Sequence, residues 1–192
     1  MKFDRLVESI IDKFKPTQGQ TIAILPGGFK PPHKGHFNAL NYLLDEADGG
    51  IVFIGKGERD GINAQQSKQI WEIYKKHLRK PVEIYIAERT PVESTYKYAE
   101  EHSDKNIIVG AGPEDEKRFD YFKKNIDKFP LVKIVNIPAM NQRISGTAVR
   151  GEICKKNPNA VNCFVPTDIK NDKEVDLLSP KEKQQINKIL KI

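Results

Sequence analysis

Apolar and polar positions along the chain follow two alternating patterns. Residues 3–14 place Phe3, Leu6, Val7, Ile10, Ile11 and Phe14 at helical spacing, with charges between them. Pro16-Thr17-Gln18-Gly19 ends that helix. From there one unit recurs: a short apolar run, a turn and an amphipathic stretch. The runs are Ile22–Leu25, Ile51–Ile54, Val82–Ile86, Ile107–Val109 and Leu131–Ile137. They are rich in Ile and Val and bounded by Gly or Pro, as strands covered on both faces are.

The stretches between the runs read as helices. Phe37, Leu40, Leu44 and Ala47 share a face after the first run. After the second, Asn63 is placed as an N-cap with Gln66 at N3, a capping-box arrangement, and Ile70, Ile73 and Tyr74 line one side. After the fourth, Phe119, Phe122, Ile126 and Phe129 repeat at three to four residues. Strand and helix alternating in this way predict an α/β fold with a five-stranded parallel sheet and right-handed crossovers. A last helix of this series starts after Arg143. The tail from Asn157 is polar and ends in a Lys-rich helix that opens on Ser179-Pro180, a cap followed by Pro at N1. Three regions result: an N-terminal helix and linker (1–19), a sheet domain (20–156) and a tail with a helix (157–192).

Composition narrows the picture. The 192 residues suit one domain, or one domain plus an appendage. No run approaches eighteen apolar residues, so no membrane span is expected. The N-terminus reads as an amphipathic helix and not as the apolar block of a signal peptide, and a cytoplasmic location is expected. Cys154 and Cys163 are too few for a disulfide framework or a cysteine-built zinc site. The net charge of +6 invites a phosphate-bearing partner, nucleic acid or nucleotide, between which composition does not decide.

The chemistry concentrates in two turns. In an open parallel sheet, ligands sit beyond the carboxyl ends of the strands near the switch point. The first such turn is Leu25-Pro26-Gly27-Gly28-Phe29-Lys30-Pro31-Pro32-His33-Lys34-Gly35-His36. Gly27 and Gly28 let backbone N–H groups approach a ligand. His33 and His36 project from one side of the first helical turn. Two imidazoles, Lys30, Lys34 and a helix N-terminus together suit a phosphate ester. A zinc site on the two histidines lacks a third ligand nearby, and no metal ligand is assigned. The second turn is Asn141-Gln142-Arg143-Ile144-Ser145-Gly146-Thr147-Ala148-Val149-Arg150. Ser145 is placed as an N-cap, Gly146 permits close approach, Thr147 adds a hydroxyl and Arg150 offers a bidentate grip on phosphate.

Together, His33-Lys34-Gly35-His36 and Ile144-Ser145-Gly146-Thr147-Ala148-Val149-Arg150 resemble the HxGH and ISxTxxR signatures of the nucleotidyltransferase superfamily, in order, spacing and strand context. The resemblance covers about residues 20–155. The wider first turn is most similar to that of nicotinamide-mononucleotide adenylyltransferases. Class I aminoacyl-tRNA synthetases share a similar His-x-Gly-His turn, but neither a KMSKS-like loop nor a tRNA-binding region is visible here. The resemblance implies a Rossmann-like fold and transfer of a nucleoside monophosphate, AMP from ATP, to a phosphorylated small molecule such as nicotinamide mononucleotide, with release of pyrophosphate. It implies catalytic roles for His33, His36, Lys30 and Arg150. Nucleotide contacts would come from Pro26, Gly27, Gly28, Phe29, Gly35, Ser145, Gly146 and Thr147. It also implies Mg²⁺ held mainly by substrate phosphates. The loop Val109-Gly110-Ala111-Gly112 would lie near the ribose and base, which makes Gly110 and Gly112 candidates. Gly112 stands where the mononucleotide adenylyltransferases often carry an acidic residue.

On the acceptor side the candidates are Lys56 and Arg59 after the second run, Thr90 after the third, and Trp71, which either stacks on a pyridine ring or lies in the core. Two alternatives stay open. One is cytidylyl transfer from CTP to an alcohol phosphate, against which stands Lys30 in place of that group's usual Asp. The other is a nucleotide or nucleic-acid binding module without turnover, supported only by Lys181, Lys183, Lys188 and Lys191 in the tail. Nucleic acid is not the expected partner, and a homo-oligomer is compatible with the sequence.

Overall fold

The structure is a computed structural model that describes residues 19–112, 115–138, 145–170 and 173–191. The expected N-terminal helix at 3–14 lies outside the described residues. Five parallel strands form the sheet: β1 (Thr21–Gly27), β2 (Gly49–Ile54), β3 (Val82–Ile86), β4 (Asn106–Ala111) and β5 (Val132–Asn136), in the order β3-β2-β1-β4-β5. β1 pairs with both β2 and β4, so the chain changes direction across the sheet at the β1/β4 boundary. That boundary is where side chains beyond the carboxyl edge diverge and leave a crevice.

Strand alternation sends each residue set to one layer. Ala23 and Leu25 of β1, Val52 and Ile54 of β2 and Ile84 of β3 join α1 (Lys34–Leu44) and α2 (Ala64–Lys75) in one core. Ile22, Ile24, Ile51, Phe53, Ile107 and Val109 face the other way. They pack with Tyr98 and Ala99 of α3 (Pro91–Glu101) and with Phe119, Phe122 and Phe129 around α4 (Asp120–Lys124). The arrangement is a Rossmann-like α/β fold with helices on both faces. Asn63 caps α2 as its sequence predicts: its Oδ1 accepts from Gln66 N–H at 2.9 Å, and Gln66 Oε1 accepts from Asn63 N–H at 3.0 Å.

One segment differs from the sequence reading. The aromatic repeat after β4 is not one helix. It is a 3₁₀ turn (Glu116–Phe119) followed by the five-residue α4, and Ile126 is 62% exposed. Asn125 leaves helical geometry at φ −125° and donates its side-chain amide back to Tyr121 O at 2.8 Å. The local bond closes the helix before Ile126 can turn inward. The tail, in turn, contributes to the core. After α5 (Gly146–Cys154) and a 3₁₀ segment (Pro158–Phe164), the antiparallel pair β6 (Thr167–Lys170) and β7 (Lys173–Asp176) leads to α6 (Pro180–Leu190). Phe164, Val165, Leu178, Ile186 and Leu190 are buried against the α2 side. Tyr74 donates its hydroxyl to Phe164 O at 2.9 Å.

Candidate active site

An open pocket of about 840 Å³ lies beyond the carboxyl edge at the β1/β4 boundary. Its walls include Pro26, Gly27, Gly28, Phe29, His33, Gly35 and His36 from the first turn, Thr90 and Pro91 from the start of α3, and Gly110 and Gly112 after β4.

The two histidines build their own helix cap. His33 is the N-cap of α1, and its Nδ1 accepts from Gly35 N–H at 3.2 Å. His36 at N3 returns the bond: its Nδ1 accepts from His33 N–H at 3.1 Å. A Ser or Thr with a Glu or Gln normally fills these places. With both Nδ1 atoms accepting, the ring proton of each neutral imidazole sits on Nε2. The rings stack at 3.8 Å, and Phe29 meets His36 edge-on at 4.9 Å. Burial pushes His33 down to about 4. Burial first, and the neighbouring His33 second, hold His36 well below the ordinary imidazole range. The pair is therefore neutral at pH 7, a set of two N–H donors at a helix N-terminus.

This has a pH signature. The unfolded chain takes up protons that folded His33 refuses, between the ordinary imidazole value of 6.5 and about 4. Stability is full above the upper value and is lost as pH falls through that window, by up to roughly 3 kcal/mol for this one group. Denaturant midpoints are expected to fall between pH 7.5 and 5, and to fall less in His33→Asn, which keeps the cap. Identical slopes in the two proteins would contradict the burial argument.

The glycines of the turn do different jobs. A Cβ at Gly27 would stand 2.6 Å from Phe29 Cζ, so this position lets the Phe29 ring lie against the backbone. A Cβ at Gly28 would meet nothing within 4 Å of protein. Gly28→Ala is thus expected to leave thermal stability unchanged and to weaken nucleotide binding, because the added methyl enters ligand space. Gly27→Ala is expected to lower stability by about 1–3 kcal/mol through overpacking. Thermal melts with and without ATP separate the two, and equal effects on the bare proteins would contradict the distinction. Gly110 also has a packing reason: a Cβ there would meet Leu43 Cδ1 at 2.4 Å.

Lys30 departs from its expected role. Its side chain does not line the pocket. Nζ donates to Gly28 O at 2.7 Å and Gly55 O at 2.6 Å, tying the first turn to the end of β2. Desolvation, with Arg59 nearby, pushes it down to about 8. Trp71 takes the core position, one of the two places its sequence allowed. It is 0% exposed, edge-on to Phe29 at 5.3 Å and to Tyr74 at 5.7 Å. Its place beside Ile70 on the buried face of α2 decides this. Lys56 and Arg59 are exposed and line no part of the pocket.

The second turn is described from Ser145 onwards; Ile144 lies outside the described residues. Ser145 caps α5, its Oγ accepting from Ala148 N–H at 3.1 Å. Arg150 is buried at 8% exposure and reaches back to the first turn. Its Nη1 donates to Lys30 O at 3.1 Å, its Nη2 to Thr147 Oγ1 at 3.1 Å and its Nε to Asp60 Oδ2 at 2.5 Å. Gly146 lets this guanidinium pass, since a Cβ there would stand 3.1 Å from Nη1. Ser145, Thr147 and Arg150 are not among the residues lining this pocket; Arg150 joins the first turn through Lys30 O.

Two groups escaped the sequence reading. Arg118 and Asp115 line the pocket on the β4 side and pair at 3.0 Å. No spacing signal marks them, because only the fold brings residues after β4 opposite the first turn. Asp60, directly after the candidate Arg59, was passed over. Its signal was present: Asp60-Gly61 is a hairpin-turn dipeptide.

Scans against protein-family models and curated proteins find no match. Solved structures do match. A nicotinic acid mononucleotide adenylyltransferase from Plasmodium falciparum superposes with TM-score 0.56 at 18% identity, over 88% of this chain and 95% of that one. A bifunctional NMN adenylyltransferase/ADP ribose pyrophosphatase from Francisella tularensis gives 0.58 at 16% identity, over 90% of this chain and 50% of that one. A Vibrio parahaemolyticus chain assigned as a nicotinate-nucleotide adenylyltransferase gives 0.58 at 16% identity, over 87% of this chain and 98% of that one. The chain thus has the fold of these adenylyltransferase structures.

Proposed function

We propose that the chain transfers AMP from ATP to the phosphate of a pyridine mononucleotide and releases pyrophosphate. The observation that carries this reading is the His33–His36 cap: two neutral imidazoles, each with its proton on Nε2, on the wall of the pocket at the β1/β4 boundary. An oxygen of the acceptor phosphate attacks the α-phosphorus. A P–O bond forms there as the bond to the bridging α–β oxygen breaks, and pyrophosphate leaves with the electron pair. No side chain needs to become covalently attached. Catalysis is positioning together with donors placed where charge grows. His33 and His36 hold the α- and β-phosphate oxygens, helped by the N-terminus of α1. Ser145, Thr147 and Arg150 serve the β- and γ-phosphates, and Arg150 has two N–H donors beyond its three contacts.

The neighbours support the substrate class. One Plasmodium structure is complexed with APC, another with NaAD, and a Francisella structure with AMP and a Mn ion. Among the described residues no group of three or more His, Cys, Asp or Glu is arranged for a metal ion. Mg²⁺ brought in on the nucleotide phosphates would supply charge neutralisation there. Arg118, which lines the same pocket, is the candidate for meeting an anionic group of the acceptor.

The test supplies ATP or CTP with nicotinamide mononucleotide, nicotinate mononucleotide or simple alcohol phosphates and follows pyrophosphate. The fastest release is expected with ATP and a pyridine mononucleotide. Release only from CTP with an alcohol phosphate would replace the reading by cytidylyl transfer, and no release from any pair would overturn it.

A further inference from the structure

Arg150 is a cation held almost wholly out of solvent. A buried guanidinium needs a carboxylate partner and a fixed plane. Asp60 provides the carboxylate, from a segment otherwise remote in sequence. The turn that carries it is built tightly. Arg59 N–H donates to Ile62 O and Ile62 N–H to Arg59 O, each at 3.0 Å. Asp60 and Gly61 between them sit at φ +51° and +77°. Both central residues at positive φ define a two-residue turn for which Asp-Gly is the preferred pair. Ile62, 4% exposed, anchors the turn in the core, and Asn63 begins the cap of α2 immediately after it. The Asp60 carboxylate itself stays half-exposed at its outer side.

The side chain is thus presented by a rigid turn, and it takes the Nε edge of Arg150. That leaves the Nη groups to span Lys30 O on the first motif turn and Thr147 Oγ1 on the second. One carboxylate therefore sets the rotation of a guanidinium that bridges both motif turns.

We propose that Asp60 is a positioning residue: through Arg150 it aligns the donors that hold the β- and γ-phosphates of the nucleoside triphosphate. This deepens the adenylyl-transfer reading and rests on it. A distinctive consequence follows. AMP carries only the phosphate served by the histidine cap, so its binding does not depend on Asp60. A triphosphate also carries the groups that Arg150 serves, so its binding does.

The experiment measures binding of AMP and of α,β-methylene-ATP by calorimetry to the parent, Asp60→Asn and Asp60→Glu, with pyrophosphate release measured in parallel. Asp60→Asn keeps the shape and removes the charge. It is expected to weaken the triphosphate analogue about ten-fold, the equivalent of one charge-assisted hydrogen bond, while AMP affinity stays within about two-fold. Adding Arg150→Lys to Asp60→Asn is expected to cost much less than the sum of the two single changes, because both act through one guanidinium. Asp60→Glu, which restores the charge, is expected to recover part of the loss. Equal weakening of AMP and the analogue, no weakening of either, or additive effects with Arg150→Lys would each overturn the role of Asp60. Absence of pyrophosphate release by the parent would instead overturn the adenylyl-transfer reading, and the two binding curves would still decide on Asp60.

Discussion

Replacing His36 with alanine is expected to lower kcat by about 10²–10³-fold, the usual cost of losing one donor aimed at developing negative charge. The same change also removes the acceptor for His33 N–H, which lies 3.1 Å from His36 Nδ1. Part of any loss could then come from a frayed helix start, worth about 1 kcal/mol. His36→Gln separates the two effects. A glutamine at N3 can accept the same backbone N–H, as in an ordinary capping box, but does not supply the imidazole Nε2–H. Its thermal midpoint is expected to match the parent while its kcat stays near that of His36→Ala. Recovery of turnover in His36→Gln would mean that the imidazole serves only the cap. Activity of His36→Ala within a few-fold of the parent would remove His36 from the mechanism.

The second large effect is one of stability. Trp71 is fully buried between Phe29, Tyr74 and the sheet. Trp71→Ala is expected to destabilise the fold by about 3–5 kcal/mol, through lost burial and the cavity left behind. That corresponds to a fall in Tm of roughly 6–20 °C for a chain of this size. Trp71→Phe is expected to cost less. It keeps an aromatic ring, and it removes an indole N–H that has no hydrogen-bond partner among the described residues. In Trp71→Phe the KM for the mononucleotide is expected to stay at the parent value. A selective rise in that KM with unchanged stability would restore the stacking role that the buried position argues against.

Trp71 also shows what one sequence reveals. Its helix face was legible, because Ile70, Ile73 and Tyr74 sit at the same spacing and all are buried. Whether one ring in that face also reaches a ligand depends on what packs over it, which periodicity does not encode. The five strands were legible because Ile- and Val-rich runs bounded by Gly or Pro have few other uses in a chain of this length. Their lateral order was not, since it depends on pairings between residues as far apart as Ile22 and Ile107. The β6–β7 pair was missed because β7 is exposed along its length and carries no apolar alternation. The single-helix reading of Phe119, Phe122, Ile126 and Phe129 failed at Asn125, where a side-chain bond outcompetes the next helical turn.

The site divides in the same way. The HxGH turn could be read because its chemistry is local: both imidazoles, both glycines and the helix start lie within ten residues. Lys30, a lysine beside a phosphate turn, reads as a ligand from sequence alone, whereas its Nζ lies 2.6 Å from Gly55 O at a different strand end. Arg118, in the 3₁₀ turn after β4, comes into view only when the sheet brings that segment to the pocket.

The most direct measurement of the central claim is ³¹P NMR of the protein incubated with Mg²⁺, ATP and nicotinamide or nicotinate mononucleotide. The ATP α-, β- and γ-resonances are expected to decline together. A dinucleotide diphosphate signal and inorganic pyrophosphate should rise in equal amounts, and His36→Ala should show neither. Conversion of ATP to ADP and inorganic phosphate, or a spectrum that does not change with either acceptor, would contradict that claim.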